Sequence, residues 1–130
     1  MRVVFRGARV LSILNRYPYN AGHLMVAVRR HVGSLSALSA LESSELLRVA
    51  ALMERRLTRL LHPDGFNVGI NVGRAAGAGI PGHLHLHVVP RWVGDTNFMP
   101  VAGQVKVMVQ SLDALYDELA APPRTRRRRR

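Results

Sequence analysis

Three histidines at alternating positions, His83, His85 and His87, are the residues of this sequence best suited to chemistry. In a β-strand, side chains two residues apart point to the same face. The three imidazoles are therefore expected to line one face, while Leu84 and Leu86 between them pack into a core. A row of imidazoles indicates either metal binding or nucleophilic attack on a phosphorus or acyl centre.

A loop rich in glycine and alanine, residues 73–82, leads directly into the histidine strand. Small residues let backbone N–H groups approach an anion closely, although this loop has neither a Walker A ending nor a dinucleotide fingerprint. The preceding strand, residues 66–72, alternates apolar residues with Asn67, Gly69 and Asn71. If the two strands are neighbours, their polar positions line one surface, which favours a phosphate-binding site.

A zinc site is the chemical alternative, because His-x-His on a strand is a known ligand spacing. Such a site usually needs another ligand from elsewhere, and His23 and Asp95 are available. Nothing in the sequence fixes either residue at ligand distance. The asparagines and the glycine loop favour phosphate, so we predict no metal site.

The spacing of apolar residues predicts the strands that must position the histidines. The chain has 130 residues, of which 48% are apolar, and this predicts one folded domain with one core. Residues 3–5 and 9–14 predict a β-hairpin, and residues 23–28 an apolar strand.

Two helices are predicted. Ser39 and Glu42 fit a capping box for a helix that ends at Leu61, although a start at Ser43 is equally compatible. Residues 105–119 predict a final amphipathic helix. Strands and two helices in this order predict an α+β domain with a mostly antiparallel sheet.

The net charge of +11 is concentrated at the C-terminus, where six of the nineteen basic residues occupy the last seven positions. Without these six, thirteen basic residues face eight acidic ones, and the remaining charge of +5 would attract anions such as nucleotides. We therefore predict a domain at 1–121 and a disordered arginine-rich tail at 122–130. The tail is expected to make only nonspecific, salt-sensitive contacts with polyanions.

The cellular compartment of the protein is predicted from features that the sequence lacks. It contains no cysteine, which excludes disulfides and cysteine nucleophiles and fits a reducing interior. The N-terminus lacks the apolar core of a signal peptide, and no apolar run approaches the roughly 20 residues that span a bilayer. We expect a cytoplasmic protein without a membrane partner.

The segment His83–Val89 resembles the histidine-triad pattern, in which three histidines alternate with apolar residues. The resemblance extends across Asn15–His23, Gly69–Gly73 and Pro90–Asp95, and covers roughly residues 3–119. The chain is most similar to a bacterial branch of histidine-triad (HIT) proteins related to diadenosine polyphosphate phosphorylases and hydrolases. This resemblance implies a five-stranded antiparallel sheet with two main helices, and a homodimer with a ten-stranded sheet.

The resemblance also implies nucleotidyl transfer from dinucleoside polyphosphates, such as diadenosine tetraphosphate, through a covalent nucleotidyl-histidine. His85 would attack the α-phosphorus, His87 would contact phosphoryl or bridging oxygens, and His83 would orient the site. Water or inorganic phosphate would then release the nucleotide, and the sequence does not separate hydrolysis from phosphorolysis. No cofactor is implied at the reacting centre.

Nucleotide-binding residues are implied in the same way. Asn15 would contact the ribose and Asn71 the phosphates, and His23 would support the site from behind. Backbone N–H groups near Gly79 and Gly82 would stabilise negative oxygens. A looser set of apolar residues would frame the base: Phe5, Leu14 and Val26.

Other interpretations remain open. An adenosine phosphoramidate hydrolase of the same family is one alternative, and a noncatalytic nucleotide-binding module that uses the arginine tail is another. Relatives often carry an N-terminal extension with cysteines that bind a structural zinc, and we expect no such site here. Of the remaining polar and aromatic residues, Arg91 is expected to be solvated, and Trp92 and Phe98 to make packing or dimer contacts.

Overall fold

Alternating apolar residues and two capped helices build an antiparallel sheet with its core on one side. The computed structural model describes residues 2–78, 82–95 and 110–122. In chain order the elements are β1 (Val3–Arg6), β2 (Val10–Leu14), β3 (Leu24–Val28), α1 (Ala40–Leu61), β4 (Gly65–Ile70), β5 (His85–Arg91) and α2 (Leu112–Ala120).

The strands of the described residues form a five-stranded sheet in the order β1-β2-β3-β5-β4. Every neighbouring pair is antiparallel, and α1 makes the connection between β3 and β4. The predicted fold class is therefore confirmed. The ten-stranded dimer stays a prediction.

The register of the strands divides the sheet into two faces. Ile13 lies opposite Met25, and Met25 lies opposite His87, so their side chains share one face, which we call the site face. The other face, which we call the core face, carries fully buried residues such as Val26 and Val88. Both helices contribute buried apolar residues to the same cluster as the core face.

Helix α1 begins where one of the two sequence alternatives placed it. The Ser39 hydroxyl accepts from the Glu42 N–H at 3.1 Å, and the Glu42 carboxylate accepts from the Ser39 N–H at 2.9 Å. Glu42 also pairs with Arg30 at 2.8 Å, and the hydrogen bond from that guanidinium lowers the pKa of Glu42 to about 2. The capping box at Ser39, rather than a start at Ser43, is confirmed.

Two strand boundaries differ from the predictions. β5 begins at His85 rather than His83, and it continues through Pro90, although a proline is expected to close a strand. β3 begins at Leu24, opposite Val88, so beyond that point β4 is the only neighbour of β5 among the described residues. A proline is tolerated where a strand has lost one of its neighbours.

The helix predicted for residues 105–119 is not continuous over that range, because Ser111 is not helical. Ser111 is extended, and its hydroxyl accepts from the Ala114 N–H at 3.2 Å, so α2 begins one residue later. Leu115 and Leu119 then pack into the core. Residues 105–109 lie outside the described residues, as do Phe98 and most of the predicted tail. Neither helix in the described part of the chain has the length and apolarity needed to cross a membrane.

Candidate active site

A cavity of about 750 Å³ lies on the site face, and all three histidines of the motif line it. His85 and His87 point to this face from the first residues of β5. The remaining lining residues come from β2, β3 and the loops that follow β2 and β4: Ile13, Asn15, Tyr17, Tyr19, Met25, Ala27, Asn71 and Gly77.

The hydrogen bonding of His85 fixes the position of its proton. Its Nδ1 lies 3.0 Å from the backbone carbonyl oxygen of His83. A carbonyl oxygen only accepts, so Nδ1 must carry the hydrogen. In the neutral ring the lone pair therefore stands on Nε2, and this is the form in which imidazole acts as a nucleophile.

The orientation of His87 is set by a chain of donors that begins in the backbone. The Tyr19 N–H donates to His23 Nδ1 at 3.1 Å, so a neutral His23 carries its hydrogen on Nε2. That Nε2 donates to His87 Nδ1 at 2.8 Å. Burial, and to a lesser degree the nearby His85, lowers the pKa of His87. A neutral His87 consequently holds its hydrogen on Nε2, where it can donate to an oxygen in the cavity.

His83 precedes β5, so the prediction that the three histidines share one strand is wrong for this residue. Its Nε2 donates to the carbonyl of Val28, the last residue of β3. The next residue, Leu84, donates its N–H to the Val32 carbonyl at 2.6 Å. These bonds hold the His83 carbonyl where it accepts from His85.

The predicted binding residues are only partly brought together. Asn15 and Asn71 line the cavity, and Asn15 is itself anchored, with its Nδ2 at 3.2 Å from His23 Nδ1. Gly82 lies next to His83, and a Cβ there would come 2.7 Å from a ring nitrogen of His31. Gly79 lies outside the described residues.

The residues predicted to frame a base lie on the wrong face. Leu14 and Val26 are buried on the core face, and Phe5 packs against the same cluster. The predicted residues are one position away from those that face the cavity, and alternate residues of a strand point to opposite faces. Only the register with the histidines on β5 distinguishes the two faces. The cavity takes its apolar lining from the alternate positions: Ile13, Met25 and Ala27.

A second network, which the sequence did not indicate, joins the end of β5 to the loop that carries His23. The Asp95 carboxylate accepts from Arg91 at 2.6 and 2.9 Å and from Asn20 Nδ2 at 2.7 Å. The hydrogen bond from Arg91 holds the pKa of Asp95 well below its usual range. Asn20 in turn accepts the His23 N–H through its carbonyl at 3.1 Å. We call the Asp95–Arg91–Asn20 arrangement the Asp95 clamp.

Arg91 is 45% exposed, as expected of a solvated arginine, but its guanidinium is also held within the Asp95 clamp. Besides the ion pair, its guanidinium donates to the Asn67 side chain at 2.8 Å, so Asn67 is committed to Arg91. The Trp92 indole N–H donates to the Leu61 carbonyl at 3.3 Å. The clamp also engages the Asp95 carboxylate that the zinc alternative would need. Across the described residues, no group of three or more His, Cys, Asp or Glu side chains is arranged to hold a metal ion.

Comparison with known proteins gives consistent matches. The family model described as HIT domain matches residues 1–93. Over 110 residues the chain is 49% identical to AP-4-A phosphorylase from Mycobacterium tuberculosis, covering 85% of this chain and 56% of that protein. Over 99 residues it is 33% identical to bis(5′-adenosyl)-triphosphatase from Saccharomyces cerevisiae, covering 72% and 48%. The chain thus spans about half the length of both proteins.

Solved structures show the same similarity. A zinc-bound histidine triad family protein from Mycobacterium smegmatis matches with a TM-score of 0.74 at 27% identity, covering 92% of this chain and 81% of that one. A histidine triad nucleotide-binding protein from Sulfolobus tokodaii matches with a TM-score of 0.72 at 26% identity, covering 92% and 78%.

Proposed function

This chain belongs to the HIT domain family, and on that premise we propose that it transfers a nucleotidyl group from a dinucleoside polyphosphate, such as diadenosine tetraphosphate, through a covalent intermediate on His85. The observation that carries the proposal is the hydrogen bond from His85 Nδ1 to the His83 carbonyl at 3.0 Å. It leaves the Nε2 lone pair of a cavity-lining imidazole available to attack phosphorus.

In the first step His85 Nε2 forms a bond to the α-phosphorus, and the bond from phosphorus to the bridging oxygen breaks. The electron pair of that bond leaves with the polyphosphate. The Nε2–H of His87 is available to donate to a phosphoryl or bridging oxygen as negative charge shifts there. The donor chain from Tyr19 N–H through His23 supports this role, because it holds the acceptor nitrogen of His87 away from the cavity.

In the second step an acceptor oxygen attacks the same phosphorus, and the N–P electron pair returns to His85. Water as acceptor releases AMP, and inorganic phosphate releases ADP. The matched relatives carry names of both kinds, a phosphorylase and a triphosphatase. The 49% identity to the phosphorylase, against 33% to the triphosphatase, supports phosphate as the acceptor.

The remaining roles are proposals on the same footing. Asn15 and Asn71 would contact ribose and phosphates from the cavity wall. The backbone N–H groups near Gly79 and Gly82 would stabilise phosphoryl oxygens. The positive charge of the domain would draw a polyphosphate toward the site.

We also propose that the protein acts as a homodimer. β4 is an edge strand of the sheet formed by the described residues, and its Val68 side chain is 52% exposed. An edge strand with an exposed β-branched residue is suited to pairing with a second copy.

Product analysis tests the reaction. The protein is incubated with diadenosine tetraphosphate with and without inorganic phosphate, and the products are separated chromatographically. We expect ADP and ATP only when phosphate is present. AMP and ATP without phosphate would identify a hydrolase, and cleavage of adenosine 5′-phosphoramidate alone would favour the alternative family activity.

Trapping tests the intermediate. A reaction quenched at alkaline pH, where a phosphorus–nitrogen bond survives, should show one added nucleotidyl group in the intact mass, and peptide mapping should place it on His85. An adduct on another residue, or turnover without any adduct, would overturn the proposed nucleophile.

A further inference from the structure

Two tyrosines at the mouth of the cavity are unusually exposed. Tyr17 and Tyr19 line the cavity, yet 76% and 62% of their surfaces remain accessible. Exposed aromatic surface beside a cavity is characteristic of a ligand-binding groove. The proposed reaction assigns neither ring a role.

Both tyrosines are fixed by the residues of the site itself. The Tyr17 N–H donates to the Asn15 side chain at 3.0 Å, and the Tyr19 N–H donates to His23 Nδ1 at 3.1 Å. The Tyr19 ring stacks on His23 with centroids 4.8 Å apart and an interplanar angle of 25°. One face of Tyr19 is thus supported by a buried ring, while most of its surface stays open. Rings held in this way pay little entropy when a ligand stacks on them.

The Tyr19 ring lies near the residue proposed to contact the leaving group. The Tyr19 ring is 6.2 Å from the His87 ring, and His87 is the residue proposed to contact the bridging oxygens. A polyphosphate that continues past His87 therefore reaches Tyr19 next. At about 750 Å³, the cavity lies in the upper part of the range of roughly 300–1,000 Å³ for small-molecule sites, so it has room beyond the transferred nucleotide.

We propose that Tyr17 and Tyr19 form a stacking subsite for the base of the leaving nucleotide. The inference rests on the proposed function and deepens it, since it predicts a preference for substrates with a second nucleoside. Every base offers a π-face, so such a platform tolerates different bases. The Arg16 guanidinium, 5.5 Å from the Tyr17 ring centroid, adds a cation beside the path of the polyphosphate.

The test compares two substrates that share the transferred adenylyl group and the phosphate chain but differ in the second nucleoside. These are diadenosine tetraphosphate and adenosine 5′-tetraphosphate. For Tyr17→Ala, we expect kcat/KM to fall about tenfold further for the first than for the second, which is the size of one lost base stack. Tyr19→Ala should shift the ratio in the same direction. Tyr17→Phe and Tyr19→Phe should keep the ratio of the natural chain, because the π-face remains. Leu47→Ala, which removes an exposed apolar side chain from α1, is the matched control.

Each outcome decides one question. Equal losses on both substrates would show that the rings serve the transferred nucleotide or the loop, and would overturn the subsite. Unchanged kcat/KM on both substrates in the two alanine variants would overturn it as well. If the natural chain turns over neither substrate, the proposed function itself fails, which is a different result from an unchanged ratio.

Discussion

The two faces of one sheet are held in place by different forces. On the core face, residues such as Val26, Leu86 and Val88 are positioned by packing in the buried apolar cluster, against which α1 lies. On the site face, His85 and His87 are only half-buried, and hydrogen bonds set the directions of their rings. Across the described residues, every buried side-chain nitrogen and oxygen has a hydrogen-bond partner.

This difference separates stability from chemistry on neighbouring residues of the same strand. Packing is nondirectional, so the core face tolerates apolar side chains of suitable volume. A hydrogen bond to an imidazole selects one tautomer and one ring orientation. Substitutions on the core face should therefore lower the free energy of unfolding, whereas substitutions on the site face should lower kcat.

The largest contrast is expected between two adjacent residues of β5. His85→Asn should lower kcat by roughly 10⁴-fold or more, as loss of a nucleophile does elsewhere. Its free energy of unfolding should stay within about 0.5 kcal/mol of the natural chain, because the ring is only half-buried. Leu86→Ala should lower the free energy of unfolding by about 2–5 kcal/mol through a core cavity.

Urea unfolding and steady-state kinetics on folded protein measure both quantities. The folded fraction of Leu86→Ala should keep kcat within about threefold, since the side chain lies on the core face. A His85→Asn variant with normal turnover, or one that unfolds like Leu86→Ala, would contradict the separation of the two faces.

A smaller effect is expected from the Asp95 clamp, which positions the site without touching it. Asp95→Ala removes the carboxylate that holds Asn20, and with it the support of His23. We expect kcat to fall roughly tenfold with KM nearly unchanged, because a misplaced catalytic group costs rate rather than binding. Ring nitrogen-15 shifts of His23 and His87 should move toward a tautomer mixture, and Asp95→Asn, which keeps one acceptor, should restore part of the rate.

Asp64→Ala is the matched control for the Asp95 clamp. Asp64 also accepts a backbone N–H of the same turn, from Val93 at 2.7 Å. None of the hydrogen bonds found for Asp64 among the described residues runs to Asn20, so kcat should stay within about twofold. Equal losses in the two variants would mean that the carboxylates only hold the turn.

The smallest effect concerns the charge state of His87. Since burial lowers its pKa, its NMR titration midpoint should fall below the ordinary value of 6.5. As pH decreases from 6.5, the unfolded chain takes up this proton first, so the contribution of His87 to stability falls until the lower folded midpoint is reached. His85→Asn should raise the midpoint only partway, because burial is the larger cause. A midpoint at or above 6.5 would contradict the neutral donor proposed for His87.

Local signals in the sequence were sufficient for much of this molecule. The capping box of Ser39 and Glu42 involves residues three apart, so the sequence could give Ser39 as one of two starts for α1. The alternation of His85 and His87 with leucines predicted the face on which the two rings lie. In each case the physical cause lies within a few residues of its effect.

The missed features depend on partners distant in sequence. Asp95 and Asn20 are 75 positions apart, and no local pattern indicates their hydrogen bond. The apolar wall of the cavity was predicted wrongly for another reason. Strands β2 and β3 carry apolar residues on both faces, so Ile13 and Leu14 look equivalent until the register with β5 is known.

Gly22 lies where the loop of the site face contacts the end of α1. It has a φ of 80°, and a Cβ there would come 2.8 Å from Leu61 and 3.1 Å from Pro90. The loop with Asn15, Tyr19 and His23 therefore rests directly on the last turn of α1. Anyone who grafts this arrangement of histidines onto another scaffold must transplant the end of that helix along with the strands.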